Sequence, residues 1–235
     1  MKRIFSLLLF LIFTASLTLA LLHFVQIQGD VELSTPENMN RVFAAITKHE
    51  KANNKHEAVD LGLSVKWASC NVGANSPEKH GGYYAWGETE EKSDYGPETY
   101  KHIDSGGYKY IGSNICGSPY DVAHMKWGGS WRMPTLEEIE ELCNKCYWKR
   151  TSVKNITGYR VTGPNGNSIF LPATGTFNGT KVYYPEIQGL IWSGSLSKIS
   201  RSHAYGLGYF FLNGNSYECE ENYRHLGRAV RPVTE

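Results

Sequence analysis

The sequence predicts an α+β domain of short twisted antiparallel strands, one or two helices and long loops. Three observations predict it. Tyrosine (15), tryptophan (6) and glycine (24) are abundant, a balance that favours short strands and tight turns over long helices. Thr135 followed by Glu138 is a capping box: the threonine hydroxyl accepts the Glu138 N–H and the glutamate carboxylate accepts the Thr135 N–H. The run Gly163-Pro164-Asn165-Gly166-Asn167 lies between two apolar stretches, and Asn-Gly in that setting is a strong hairpin signal.

The N-terminus reads as a targeting segment. Lys2 and Arg3 precede the apolar run from Ile4 to Phe13, and Thr18-Leu19-Ala20 offers a cleavage site, the layout of a secretory signal over residues 1–20. Leu21, Leu22, Phe24, Val25 and Ile27 prolong the apolar stretch. An uncleaved anchor to about residue 27 is therefore the alternative, and this segment is the only expected membrane contact. No cysteine precedes Cys70, so a lipoprotein acylation site is absent. The chain is expected outside the cytoplasm: secreted, periplasmic or on the cell surface.

Residues 21–56 read as a spacer and helical arm. Ser34 and Glu37 make a second capping box, Pro36 suits the first turn, and Met39, Val42, Phe43 and Ile46 form an apolar stripe. The globular domain occupies residues 57–235. A length of 235 residues allows one such domain with an appendage. A net charge of +1 gives no reason to expect nucleic acid or an anionic surface as partner.

Within the domain, Val59, Leu61 and Leu63, then Val65, Trp67 and Cys70, suggest strands broken at Gly62. Residues 81–88 read as an aromatic strand bounded by glycines. Residues 89–115 lack both periodicities and read as a long structured loop, either functional or padded by its own aromatics. The central stretch Trp127-Gly128-Gly129-Ser130-Trp131 is a tight turn. Pro134 forbids helix before Thr135. Behind the cap, Leu136, Ile139, Leu142, Cys143 and Cys146 share one helical face. The Asn-Gly hairpin joins residues 159–162 to 168–172, and residues 190–193 form another short strand. Tyr205, Leu207, Tyr209 and Phe211 alternate with smaller residues as a strand does. Residues 213–215 turn the chain back, and residues 229–233 close the domain.

Five cysteines in an exported chain suggest disulfides among Cys70, Cys116, Cys143, Cys146 and Cys219 with one left over and connectivity open, the alternative being that all are buried thiols. Cys143 and Cys146 sit at the far end of the predicted helix. A redox motif would sit at a helix N-terminus, and no second ligand pair follows to complete a zinc site. Packing or a disulfide is the reading for them. Asp121 with His124 reads as a turn-stabilising hydrogen bond, since no nucleophile motif accompanies it. Trp67, Trp86 and Trp131 are expected in the core, and Arg132 and Arg231 against carboxylates or carbonyls. No metal site or cofactor is expected.

Several separated motifs carry a resemblance. They are residues 57–68, Cys70-Asn71-Val72-Gly73-Ala74, Gly82-Tyr83-Tyr84-Ala85-Trp86-Gly87-Glu88, Tyr120-Asp121-Val122-Ala123-His124, the central stretch through Thr135, and Ala229-Val230-Arg231-Pro232-Val233. Together they resemble the Fibrobacter succinogenes major paralogous domain of Bacteroidetes surface proteins. The resemblance implies a C-type-lectin-like fold, related to formylglycine-generating enzymes and to retroelement-diversified binding proteins. Two departures matter. The Glu-Pro-Asn, Gln-Pro-Asp and Trp-Asn-Asp motifs of calcium-dependent sugar binding are missing, and Cys219 stands alone where the oxidase branch has a cysteine pair.

The expected role is non-enzymatic recognition of a glycan or protein ligand. The formylglycine-generating type of enzyme and a structural subunit of a surface assembly are the alternatives. Tyrosine among Gly, Ser and Asn is the composition of recognition surfaces, and the stretch from Arg201 to Arg224 has it. In the diversified relatives the late region forms the ligand face, so Tyr209, Asn215, Tyr217 and Tyr223 are expected to line a shallow ligand face.

Overall fold

The computed structural model describes residues 56–211 and 216–235. The targeting segment, the helical arm up to residue 55, and the turn at residues 213–215 with Asn215 lie outside the described residues. The described part is mainly β with few helices.

In chain order the elements are β1 (Ala58–Val59), β2 (Lys66–Ala68), β3 (Ile103–Asp104), β4 (Gly107–Tyr108), α1 (Val122–Trp127) and α2 (Leu136–Lys145). Then follow β5 (Tyr147–Val153), β6 (Ile156–Thr162), β7 (Ser168–Pro172), β8 (Thr176–Asn178), β9 (Lys181–Tyr183), β10 (Gln188–Leu196), β11 (His203–Phe210), β12 (Ser216–Tyr223) and β13 (Val233–Thr234). The larger sheets are the antiparallel meanders β5-β6-β7 and β10-β11-β12, and β2 sits between β1 and β13 in a third.

The central turn and helix form as the residue pattern demands. Gly128 (φ 67°) and Gly129 (φ 59°) take the left-handed conformation that ends α1 and reverses the chain. The Thr135 hydroxyl accepts the Glu138 N–H at 3.3 Å, and Glu138 accepts the Thr135 N–H at 2.8 Å. The same carboxylate receives a two-pronged grip from Arg132, at 2.8 and 2.6 Å. Leu136, Ile139 and Leu142 are buried. Asp121 does more than hold a turn. It caps α1 by accepting from Ala123 and His124, and it accepts from Gly117 and Met133 as well. Burial raises its carboxyl above the usual value although all four N–H groups pull the other way. The six-residue helix α1 was hidden in the sequence because one turn of Val122-Ala123 is too short to show a period.

The hairpin of β6 and β7 forms around the Asn-Gly turn, with Gly163 N–H on Asn167 O at 2.9 Å. Strand β5 was not expected. It pairs with β6 over seven residues through a turn at Lys154 (φ 49°) and Asn155 (φ 68°). Asparagine tolerates that conformation but lysine is no turn signature, so the sequence masks the connection.

Two expected strands are corrected. Residues 81–88 contribute a single bridge, Tyr84 to Arg228. The closing strand is confined to Val233–Thr234. One cause explains both. Residues 224–234 run fully buried through the domain and bond a different segment at nearly every step. Arg224 O accepts from Trp86, Arg228 exchanges both bonds with Tyr84, Ala229 O accepts from Trp192, Val230 O from Val72, and Pro232 O from Ala68. A segment that changes partner so often has no ladder, although its backbone is satisfied.

Two cores flank that segment. One gathers Trp67, Ile139, Leu142, Trp148, Tyr159 and Leu207 between α2 and the two meanders. The other gathers Tyr84, Trp86, Ile115, Met133, Trp192 and Val230. The loop of residues 89–115 is padded by its own aromatics, with buried Tyr95 and Tyr100 packed with Ala85. Trp67, Trp86 and Trp131 are buried, and the indole N–H of Trp86 donates to Ser193 O at 2.9 Å. Arg231 donates to Asn71 Oδ1, Ala68 O and Phe170 O at 2.7 to 3.0 Å.

Candidate functional site

The late tyrosines do not form one face. Tyr209 is corrected outright. It is 0% exposed, and its hydroxyl donates to Pro172 O at 2.7 Å. On β11 the alternation that seemed to offer a face points Leu207, Tyr209 and Phe211 into the first core. Tyr217, directly opposite Tyr209 in register, lies stacked on Trp148 (4.3 Å between centroids, 11° between planes) with 36% of its surface exposed. Tyr223 is 48% exposed and packs against His203 and His225. Six residues of extended strand separate the two tyrosines, about 20 Å at 3.3 Å per residue, so no single small ligand bridges them.

Beside Tyr223's end of the sheet, a cleft of about 310 Å³ opens between Tyr110, Leu196, Lys198 and Arg201. Arg201 lies over the Tyr110 ring at 5.9 Å. This is what remains of the expected late patch.

A larger cleft, of about 840 Å³, lies elsewhere, between the loop of residues 72–81 and the end of α1. Its loop wall is held tightly. Gly82 N–H donates to Val72 O, and Asn71 Nδ2 donates to His80 O, at 2.9 and 2.8 Å. Gly81 (φ 77°) makes this possible, because a Cβ there would collide with the Val72 carbonyl. The opposite wall is aromatic. The His56 ring lies flat on the Trp127 indole, 3.5 Å between centroids and 2° between planes, and Trp131 meets Trp127 edge-on.

Polar residues line the cleft as well. His80 Nε2 is buried without a hydrogen-bond partner, and burial lowers the pKa of both His80 and His56, which keeps the rings neutral. Glu78, at the base, is held ionised by Lys154 at 2.7 Å, its pKa lowered to about 2. Lys126 is shared with Glu90 at 3.2 Å. With both of these cations paired, the lining presents an aromatic shelf, neutral imidazoles, an amide from Asn75 and the exposed ammonium of Lys79. Such a lining suits a polar, weakly charged ligand with one apolar face. The sequence signal for it was Trp127 next to the Gly-Gly turn. What the sequence hid is that residues 72–81 face it.

Two other buried cations were missed. Arg224 lies over Trp86 at 4.7 Å and Arg228 over Trp192 at 4.3 Å. All five cysteines are free thiols in this structure. Among the described residues, no group of three or more His, Cys, Asp or Glu side chains is placed to hold a metal ion. Comparison with protein-family models, with curated proteins and with solved structures finds no match to this chain.

Proposed function

We propose that residues 57–235 are a C-type-lectin-like recognition domain of the Fibrobacter succinogenes major paralogous type, carried by an exported chain, and that it binds a glycan or protein ligand without transforming it. The observation that carries this reading is the cleft lined by the His56–Trp127 stack and by His80, whose Nε2 has no partner. A flat aromatic shelf packs against the C–H face of a sugar ring or against an apolar side chain. The neutral imidazole and the Asn75 amide then take hydroxyl or peptide hydrogen bonds, and a buried nitrogen left without a partner favours a ligand that supplies one. The reading moves the ligand site from the late tyrosines to this cleft.

The test is a glycan array probed with the full chain, followed by calorimetric titration of any hit against wild type, Trp127→Ala and His80→Ala. Binding by wild type, weakened at least tenfold in both variants while their circular dichroism stays native, supports the reading. Binding that both folded variants retain at full strength removes the cleft from the role. If the array is empty, capture of peptides from a displayed library decides between a protein ligand and no recognition function.

A further inference from the structure

Two chain segments build the small cleft beside Tyr110, and one buried cation clips them together. The first segment supplies Tyr110 and Ser113, and the second supplies Leu196, Ser197, Lys198 and Arg201 from the connection between β10 and β11. Arg224 is 0% exposed, and its Nη1 donates to Lys109 O at 2.8 Å and to Arg201 O at 2.9 Å. The Leu196 N–H on Ser113 O, at 2.8 Å, is a second tie. The connection also holds its own shape. Ser197 Oγ accepts from the Ile199 and Ser200 N–H groups at 3.0 Å each and donates to Glu221 at 2.8 Å, and the Ser197 N–H donates to His203 O at 3.1 Å. The backbone is thus fixed without the side chains of Lys198 and Arg201, which are exposed.

The charges around this cleft are uncompensated. Among the described residues no carboxylate stands within ion-pair distance of Lys198, Arg201 or Arg224. Glu221, the acidic group bonded to the connection, is engaged by the Ser197 hydroxyl. Arg201 lies over the Tyr110 ring at 5.9 Å. Arg224 keeps two buried donors, Nε and Nη2, without partners. Like charges gathered on a small concave surface raise its positive potential and draw an anion to it. Arginine supplies a planar fork that fits a carboxylate or sulfate, and lysine supplies a point charge.

We propose that this cleft is a second binding site, which takes one sulfated or carboxylated residue of an anionic polysaccharide. Arg201 and Lys198 hold the anion, Tyr110 and Ser113 meet the sugar ring and its hydroxyls, and Arg224 is the positioning residue beneath. The volume of about 310 Å³ is at the small end of ligand sites and suits a single sugar residue. The lining chooses a sugar acid over an acidic peptide. It adds an aromatic ring, 59% exposed in Tyr110, and the exposed hydroxyl of Ser113 to the two cations. A sugar acid presents an anion, hydroxyls and a C–H face on one ring, whereas an Asp or Glu side chain presents the anion alone. The site stands apart from the Trp127 cleft and does not depend on what that cleft binds.

The full chain is titrated calorimetrically at low salt with a sulfated oligosaccharide, with an oligogalacturonate as the carboxylated one, and with a hexaglutamate peptide. The expected result is binding of at least one of the two saccharides, with the peptide at least tenfold weaker; the tighter saccharide identifies the preferred anion. Lys198→Ala with Arg201→Ala should weaken saccharide binding at least tenfold. Trp127→Ala, and Lys149→Ala with Lys181→Ala as a matched loss of two exposed charges elsewhere, should leave it unchanged. In the wild-type chain the saccharide should also shield Arg201 from phenylglyoxal, as mapped by mass spectrometry, which decides the matter even if a variant fails to fold. The proposal is overturned if neither saccharide binds, if the peptide binds as tightly, or if Arg201 is labelled equally with and without saccharide. Equal weakening by the two paired variants would reduce the effect to diffuse charge and overturn it too. Loss of binding in Trp127→Ala alone would assign the saccharide to the other cleft, with the same consequence.

Discussion

Arg228 lies with its guanidinium 4.3 Å from the Trp192 ring centroid, and both side chains are fully buried. The one carboxylate at ion-pair distance among the described residues is Glu220, at 2.6 Å from Nη1. Burial lowers the Arg228 pKa, as it must for a cation removed from water. The indole face and a single carboxylate replace its hydration. Arg228 belongs to the buried C-terminal segment, Trp192 to β10 and Glu220 to β12, so one side chain joins three parts of the domain.

Removing Glu220 should therefore strand a buried charge. Glu220→Ala is expected to cost about 3–5 kcal/mol, read as a lower urea midpoint at pH 7. The double variant Glu220→Leu with Arg228→Met should recover much of the loss, because two apolar side chains carry no desolvation penalty. Additive losses in the double variant would show that the pair is not coupled.

Tyr209 and Tyr217 should report on stability before anything else. Tyr209→Phe leaves the Pro172 carbonyl without its donor and should cost about 1–3 kcal/mol. Tyr217→Ala loses the stack on Trp148, worth about 0.5–1.5 kcal/mol beyond the area it buries. Ligand titration of both folded variants should match wild type, and a variant that keeps its melting temperature but loses binding would restore the late face as the site.

The capping box offers a smaller and cleaner effect. Thr135→Ala removes one hydroxyl acceptor at the start of α2 and should cost about 1 kcal/mol. For a domain of this size that is a fall of about 2–4 °C in melting temperature. A null effect by calorimetry would mean that Arg132 and Glu138 hold the helix start without the threonine.

Stability should fall as the solution is acidified below neutrality. Burial lowers the pKa of His56, His80, His102 and His225 in the folded chain, whereas in the unfolded chain they return to about 6.5. Between those values the unfolded state binds more protons, so the contribution is present above about 6.5 and is lost as pH falls through it toward the folded values. Glu78 acts at lower pH, its share being lost as pH drops from the usual carboxylate range towards about 2. Melting curves at pH 7.5 and 5.0 should show the lower temperature at pH 5.0, and the reverse order would contradict the buried imidazoles.

Local chemistry was legible and long-range partnership was not. Thr135 with Glu138, the Asn-Gly hairpin and the alternation on β11 depend on residues within a few positions of each other, and each formed as read. The role of Tyr209 was misread because alternation reveals that two faces exist without telling which one is covered. That depends on Trp148 and Tyr159, from another meander.

From the residues alone followed the short strands, the capped helix, the tight turn between Trp127 and Trp131, the burial of Trp67, Trp86 and Trp131, and the pairing of Arg231 with carbonyls. Only the tertiary structure decided that residues 224–234 thread the interior and that residues 72–81 close a cleft against Trp127. The reason is physical. Capping and turn preferences are energies of neighbouring residues, while a cleft or a buried cation exists only where distant segments are brought together by the burial of shared apolar surface.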